Sequence, residues 1–187
     1  MIIIPTSITN FNRNERELQA FWLFCICVAG RSPKQVAAKV NQLTETIPNN
    51  LRPFDWFRMQ DIRAVLEKHK MGQYSRITKA IQQSLDLDLT EADFIELEGV
   101  HGVGPKTSRF FLLHSRKNVE LAVLDTHILK WLGEQVTDAA VPRKTPQKDY
   151  RFWETVFLAI AKAKFPEKTI AEIDLTIWKS FSTPETV

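Results

Sequence analysis

The chain has 187 residues, 44% hydrophobic and 25% charged, enough for one large domain or two small lobes sharing a core. Its longest apolar run, FWLFCICVA from Phe21, is about half a membrane span, and the opening MIII stops at Pro5 without a basic flank, which excludes a spanning helix and argues against a signal peptide. The net charge of +3 is unevenly spread: residues 1–100 carry 12 Lys/Arg against 12 Asp/Glu and residues 101–187 carry 13 against 10, so the excess lies in the second half and is compatible with a polyanionic partner.

In chain order the sequence predicts helix after helix. Asn14 caps an apolar segment from Glu15 to Val28. Its two cysteines, Cys25 and Cys27, point to nearly opposite sides of a helix, so they read as buried free thiols and not as a metal clasp. Ser32-Pro33 opens a second helix with Val36, Val40, Leu43 and Ile47 at helical spacing. Pro48-Asn49-Asn50 ends it, and Pro53 is expected to prevent an early restart. MQDIRAVLEKHK and YSRITKAIQQSL follow, separated by Gly72, and Thr90 with Asp93 predicts a capping box for a short helix reaching Leu97. Beyond a glycine-rich turn come KTSRFFLLHSR, DTHILKWLGEQV and two late helices near Tyr150–Lys164 and Glu167–Phe181. Val136–Gln147 is the expected linker. No strand pattern of useful length interrupts this, and the fold class is all-α.

The glycine turn, LEGVHGVGPKTS from Leu97, carries the most information. Gly99, Gly102 and Gly104 lie within six positions and lead straight into Pro105 and Lys106. Glycines weaken a helix but allow a tight turn with uncovered amides, and amides at a helix start attract an anion. A nucleic-acid phosphate is the natural ligand. The Walker pattern fails because Pro105 occupies its lysine position, and no strand precedes the turn as a dinucleotide fingerprint requires.

LEGVHGVGPKTS followed by AVLDTHILKWL resembles the helix-hairpin-helix Gly/Pro-Asp superfamily of DNA glycosylases, whose pattern is roughly L-x-G-V-G-x-K-T-A and then V-D-T-H about twenty residues on. Gly102, Val103, Gly104, Lys106 and Thr107 match the hairpin, and Asp125, Thr126 and His127 the second element. His101 stands where proline is common, Ser108 where alanine is usual, and Leu124 replaces a valine. The resemblance is strongest to a short 8-oxoguanine DNA glycosylase/AP lyase. It implies a two-lobed all-α fold: a helical barrel over 21–135 with its hairpin at 97–115, and a second lobe from 1–20 plus 136–187. It also implies double-stranded DNA bearing a damaged base as partner, a monomer, and a cytoplasmic, nucleoid-associated place in a prokaryote.

A lysine at the position of Lys106 marks family members with lyase activity. Its neutral amine attacks the sugar C1′, displaces the base and forms a Schiff base that permits β-elimination. Asp125 is the implied partner, stabilising charge on the sugar and moving protons; it is also a good helix N-cap, and the two roles are compatible. His101, Gly102, Gly104 and Thr107 are the expected phosphate contacts. His127 either joins them or simply occupies a first helical turn.

The base must be flipped out and its gap filled. In the family the filler follows the first core helix, which here points to Arg31 with Ser32 beside it, against the plainer reading of an exposed loop arginine. Asp174 and Trp178, four apart on one helix face, are candidates to read and stack on the base, against the plainer reading of core residues. No cofactor is implied: four cysteines for an Fe–S cluster are lacking, and only a structural monovalent cation at the hairpin is expected. The competing readings are a glycosylase for another damaged or modified base, such as an oxidised pyrimidine, a helix-hairpin-helix DNA-binding module without chemistry, and a helical protein-interaction domain.

Overall fold

The computed structural model describes residues 2–136, 141–143 and 147–181. Ten helices run through them: α1 Glu15–Val28, α2 Pro33–Glu45, α3 Pro53–Arg58, α4 Ile62–Lys68, α5 Tyr74–Ser84, α6 Phe94–Glu98, α7 Pro105–Ser115, α8 Thr126–Gln135, α9 Tyr150–Lys164 and α10 Ile170–Phe181. No strand occurs among the described residues, in keeping with the all-α reading.

Helix α1 is the hub. Leu18 to Cys27 are buried without a break, because the apolar residues of ELQAFWLFCIC wrap the whole helix and do not form a stripe. It packs against α2, α3, α5 and α7. The ring of Phe21 stacks on Phe111 at 5.6 Å and Trp22 meets Phe111 edge-on at 5.0 Å, so α1 and α7 are locked by aromatic contact. Asn14 and Glu17 form a full capping box at its head. Cys25 and Cys27 are free and buried, and desolvation pushes both thiols up, Cys27 to about 12.

Two helix starts differ from expectation. Pro53 does not block a helix but opens α3, because the first helical turn needs no amide donor from its N1 residue. The cap of α6 is Asp93 itself, boxed with Glu96, while Thr90 bonds back to Asp88 in the preceding turn. The last helix begins at Ile170, with Thr169 and Glu172 exchanging side-chain bonds at its head. The linker expected at Val136–Gln147 lies largely outside the described residues.

The buried apolar side chains form two clusters that divide inside α7, between Leu112 and Leu113. The first gathers α1 to α6 with Ile3 and Ile8; the second gathers α8, α9 and α10. Helix α7 therefore belongs to both cores, and its outer end and the head of α8 face a cleft along their seam. Each buried Leu, Ile or Phe contributes about 1.5–3 kcal/mol relative to exposure, so this shared helix is anchored by apolar burial in both clusters.

Candidate active site

The hairpin between α6 and α7 is built as its glycines predict, though each glycine has a different cause. Gly102 sits at φ +77°, and an added Cβ would come within 3.1 Å of Arg76 carbons. Gly99 has ordinary helical dihedrals but a Cβ there would stand 3.1 Å from the Glu96 carbonyl. Gly104 is extended, caps α7, and has open space where a side chain would go. No contact among the described residues demands glycine at Gly104. The amides of Gly102, Gly104 and Lys106 donate to no described residue, whereas those of Val103, Thr107 and Ser108 bond back into the turn. An outward-facing set of free N–H groups at a helix start is an anion site. His101 is exposed, and its amide donates to Gln83 Oε1 at 2.6 Å, which pins the hairpin tip to α5.

Lys106 is exposed in the first turn of α7 and borders a cleft of about 490 Å³. Asp125 borders the same cleft from the head of α8. Its Oδ1 accepts the amides of His127 and Ile128, each at 2.9 Å, so the carboxylate is a helix cap with a fixed direction and its Oδ2 hydrogen-bonds no described residue. The segment that delivers it is extended: Tyr150 donates to the Ala122 carbonyl at 2.8 Å and accepts from the Leu124 amide at 2.9 Å, and Glu154 accepts the Ala122 amide at 3.0 Å.

The other residues singled out by sequence mostly converge here. Thr107, His127, Asp174, Trp178, Arg31 and Ser32 line this cleft with Lys106 and Asp125; His101, Gly102 and Gly104 lie outside it along the hairpin. Trp178 is half-buried, edge-on to the His127 ring at 6.3 Å. Asp174 is buried, with Oδ2 at 3.2 Å from His114 Nε2; burial pushes its carboxyl up, and the hydrogen bond to His114 opposes this. Arg31 is half-buried and folded back to the Cys27 carbonyl at 3.4 Å, closing the end of α1.

Sequence reasoning missed the supporting groups. Phe110, on the same face of α7 as Lys106, lines the cleft together with Trp178. His114 and Thr9 stand behind Asp174. Half-buried Glu98 and buried Arg109 and Glu154 form an ionic chain from the hairpin to α9, with the Arg109 guanidinium over the rings of Phe94 and Tyr150. The available signal was weak: charged residues at positions of α6, α7 and α9 that otherwise face inward.

No known family model matches the chain. It is 28% identical over 169 residues to a protein of Thermoplasma volcanium named 8-oxoguanine DNA glycosylase/AP lyase, covering 83% of this chain and 75% of the relative. A protein of the same name from Metallosphaera sedula is 28% identical over 122 residues, 65% of this chain and 57% of the relative. Among solved structures, the 8-oxoguanine DNA glycosylase of Thermotoga maritima superposes with a TM-score of 0.66 over 90% of this chain and 81% of that one, at 19% identity. The all-helical architecture of this chain is the fold of that glycosylase.

Proposed function

We propose that this chain is a bifunctional DNA glycosylase/AP lyase of base excision repair that excises 8-oxoguanine from duplex DNA. The observation that carries the reading is that Lys106 and Asp125, from separate helices, border one cleft together with Asp174 and Trp178. Its similarity to proteins named 8-oxoguanine DNA glycosylase/AP lyase supports the same chemistry and base.

In this mechanism the free amides of Gly102, Gly104 and Lys106 hold a backbone phosphate, with His101 beside them and Thr107 and His127 nearer the cleft. The nucleotide turns out into the cleft between Phe110 and Trp178, where Asp174 reads its edge, and Arg31 and Ser32 approach the vacated stack. Lys106 Nζ, as the neutral amine, bonds to C1′ while the glycosidic bond breaks; the base leaves with that electron pair and takes up a proton. Asp125 Oδ2 stabilises the positive charge developing on the sugar and accepts a proton from the attacking nitrogen. Opening of the sugar ring gives the imine. Loss of a C2′ proton then expels the 3′ phosphate, which nicks the strand. The protein acts as a monomer on double-stranded DNA. Among the described residues no helix is long and apolar enough to cross a membrane.

The deciding experiment is borohydride trapping on a duplex with one 8-oxoguanine opposite cytosine and on a duplex with a preformed abasic site, using wild type and Lys106→Gln. Trapping and nicking of both by wild type alone supports the reading. Trapping of the abasic duplex only keeps the lysine chemistry and replaces the base. DNA binding without trapping on either makes the chain a non-catalytic module.

A further inference from the structure

Behind the cleft, Asp174 is backed by a hydrogen-bonded row, His114 and Thr9, that the chemistry above does not use. Thr9 Oγ1 is 2.8 Å from His114 Nδ1, and His114 Nε2 is 3.2 Å from Asp174 Oδ2. The His114 ring is wholly buried and edge-on to Phe110 at 4.8 Å. The Asn10 amide and the Arg13 guanidinium both donate to the His114 carbonyl, at 3.1 and 2.8 Å, so the N-terminal segment clamps the end of α7 that carries the ring. Asp174 lines the cleft, and its Oδ1 hydrogen-bonds no described residue.

We propose that His114 biases Asp174 toward accepting hydrogen bonds from the flipped base, so that the pocket selects bases presenting adjacent N–H donors, the guanine-type edge. The proposal rests on the reading of Asp174 and Trp178 as the base pocket. It follows from counting protons. With hydrogen on Nε2, His114 donates to Oδ2 and Asp174 is a carboxylate. With hydrogen on Nδ1, the ring donates to Thr9, Nε2 takes the hydrogen bond of a protonated Oδ2, and Oδ1 is the carbonyl oxygen. With both nitrogens protonated, Asp174 is again a carboxylate. In these three states Oδ1 has lone pairs and no hydrogen. The remaining state, with Nε2–H on Oδ2 and the acid proton on Oδ1, replaces a strong O–H···N bond to the imidazole by a weaker N–H···O one and is disfavoured. The Thr9 hydroxyl, able to donate or accept, serves each tautomer.

The backing matters because the surroundings favour a neutral carboxyl: Asp174 is buried, and the Asp125 carboxylate at the head of α8 repels its charge. Tyr150 on α9 also lies within reach of the Asp174 charge, and Lys106 and His127 line the same cleft. Without His114 the protonated acid is free to turn its O–H into the cleft and accept the wrong edge. A guanine-type edge sets N1–H beside a 2-amino group. An adenine-type edge sets an N1 acceptor beside its amino group, and its lone pair faces that of Oδ1.

The test compares single-turnover excision of 8-oxoguanine and 8-oxoadenine, with borohydride trapping on a preformed abasic duplex as the base-free control. His114→Leu is expected to lose about tenfold or more on 8-oxoguanine and to lose much of its preference over 8-oxoadenine, with abasic trapping unchanged. His114→Gln returns an N–H to Oδ2 and is expected to recover most of both. Thr9→Val is expected to reduce the preference less, and with His114→Gln it carries the test if His114→Leu does not fold. An unchanged preference in His114→Leu, or in Thr9→Val where His114→Leu does not fold, or an equal loss on the abasic duplex, overturns the proposal. Wild-type protein that traps neither duplex instead overturns the parent reading.

Discussion

Arg109, three residues after Lys106 on α7, donates from Nε to Glu154 Oε1 at 3.1 Å, and that same oxygen accepts the amide of Ala122, three residues before Asp125. One buried ion pair therefore ties the helix of the amine to the segment of the carboxylate. Glu98, at the end of α6, completes the chain by pairing with the other side of the guanidinium. The hairpin, the amine and the aspartate are set relative to one another by charge and hydrogen bonding as well as by apolar packing.

Breaking that chain is expected to be costly because it strands buried charge. Arg109→Met leaves Glu98 and Glu154 without their counter-ion and should cost about 3–5 kcal/mol, read as a lowered urea midpoint. Double replacement of Arg109 and Glu154 by Met and Leu is expected to recover part of that loss. A midpoint within error of wild type for Arg109→Met would show that the chain contributes nothing to holding the site.

The two hairpin glycines are expected to separate folding from binding. Gly102→Ala meets a left-handed φ and the side chain of Arg76, and should destabilise by about 1–3 kcal/mol. Gly104→Ala has allowed dihedrals and open space, so its unfolding midpoint should stay near wild type while DNA affinity falls and the salt dependence of binding flattens. Unchanged DNA binding by Gly104→Ala would remove the phosphate from the hairpin.

Asp125→Asn retains an oxygen for the amides of His127 and Ile128 but no negative charge for the sugar. It is expected to unfold near the wild-type midpoint and to lose base excision by orders of magnitude. Asp125→Ala loses the cap too, at about 1 kcal/mol. Comparing the two by thermal unfolding and single-turnover excision separates the capping role from the chemical one.

Asp174 sets stability against recognition. Its folded-state carboxyl is pushed above the ordinary value by burial, so between the unfolded and folded titrations the native state holds the extra proton. Its contribution is then fully present below the unfolded carboxyl range and is lost as pH rises through the folded value. Asp174→Asn is therefore expected to gain stability relative to wild type as pH rises from acid to neutral, while losing selectivity between bases. Parallel denaturation curves at all pH values for the two proteins would contradict this.

The local order of the chain is written in its local residues. Asn14 with Glu17, Pro33, Asp125 and the glycines around Pro105 each act within one turn, so the helices they start can be read directly from neighbouring letters. The same locality explains the two misread starts. Pro53 is neutral at a first helical position and harmful further in, and only the packing of Phe54 and Phe57 beneath α1 decides which applies. Thr90 and Asp93 both suit a cap, and the reach of Glu96 to the Asp93 amide selects one.

The candidate site divides the same way. Lys106 and Asp125 are picked out by the resemblance of the hairpin and of the DTH element to the glycosylase pattern, and Asp174 and Trp178 by their i, i+4 spacing. That they meet in one cleft, with Phe110 among them, depends on α7 sharing both apolar clusters. His114 with Asp174, 60 residues apart, and Arg109 with Glu154, 45 apart, leave no periodic trace. The sequence by itself determined the helices and the glycine turn, since those follow from backbone sterics and short-range capping, and its resemblance to a known pattern pointed to the residues proposed for the chemistry. Only the tertiary structure decided which buried polar groups satisfy one another, because that pairing is imposed by burial, where an unmatched donor or charge costs more than the chain can spare.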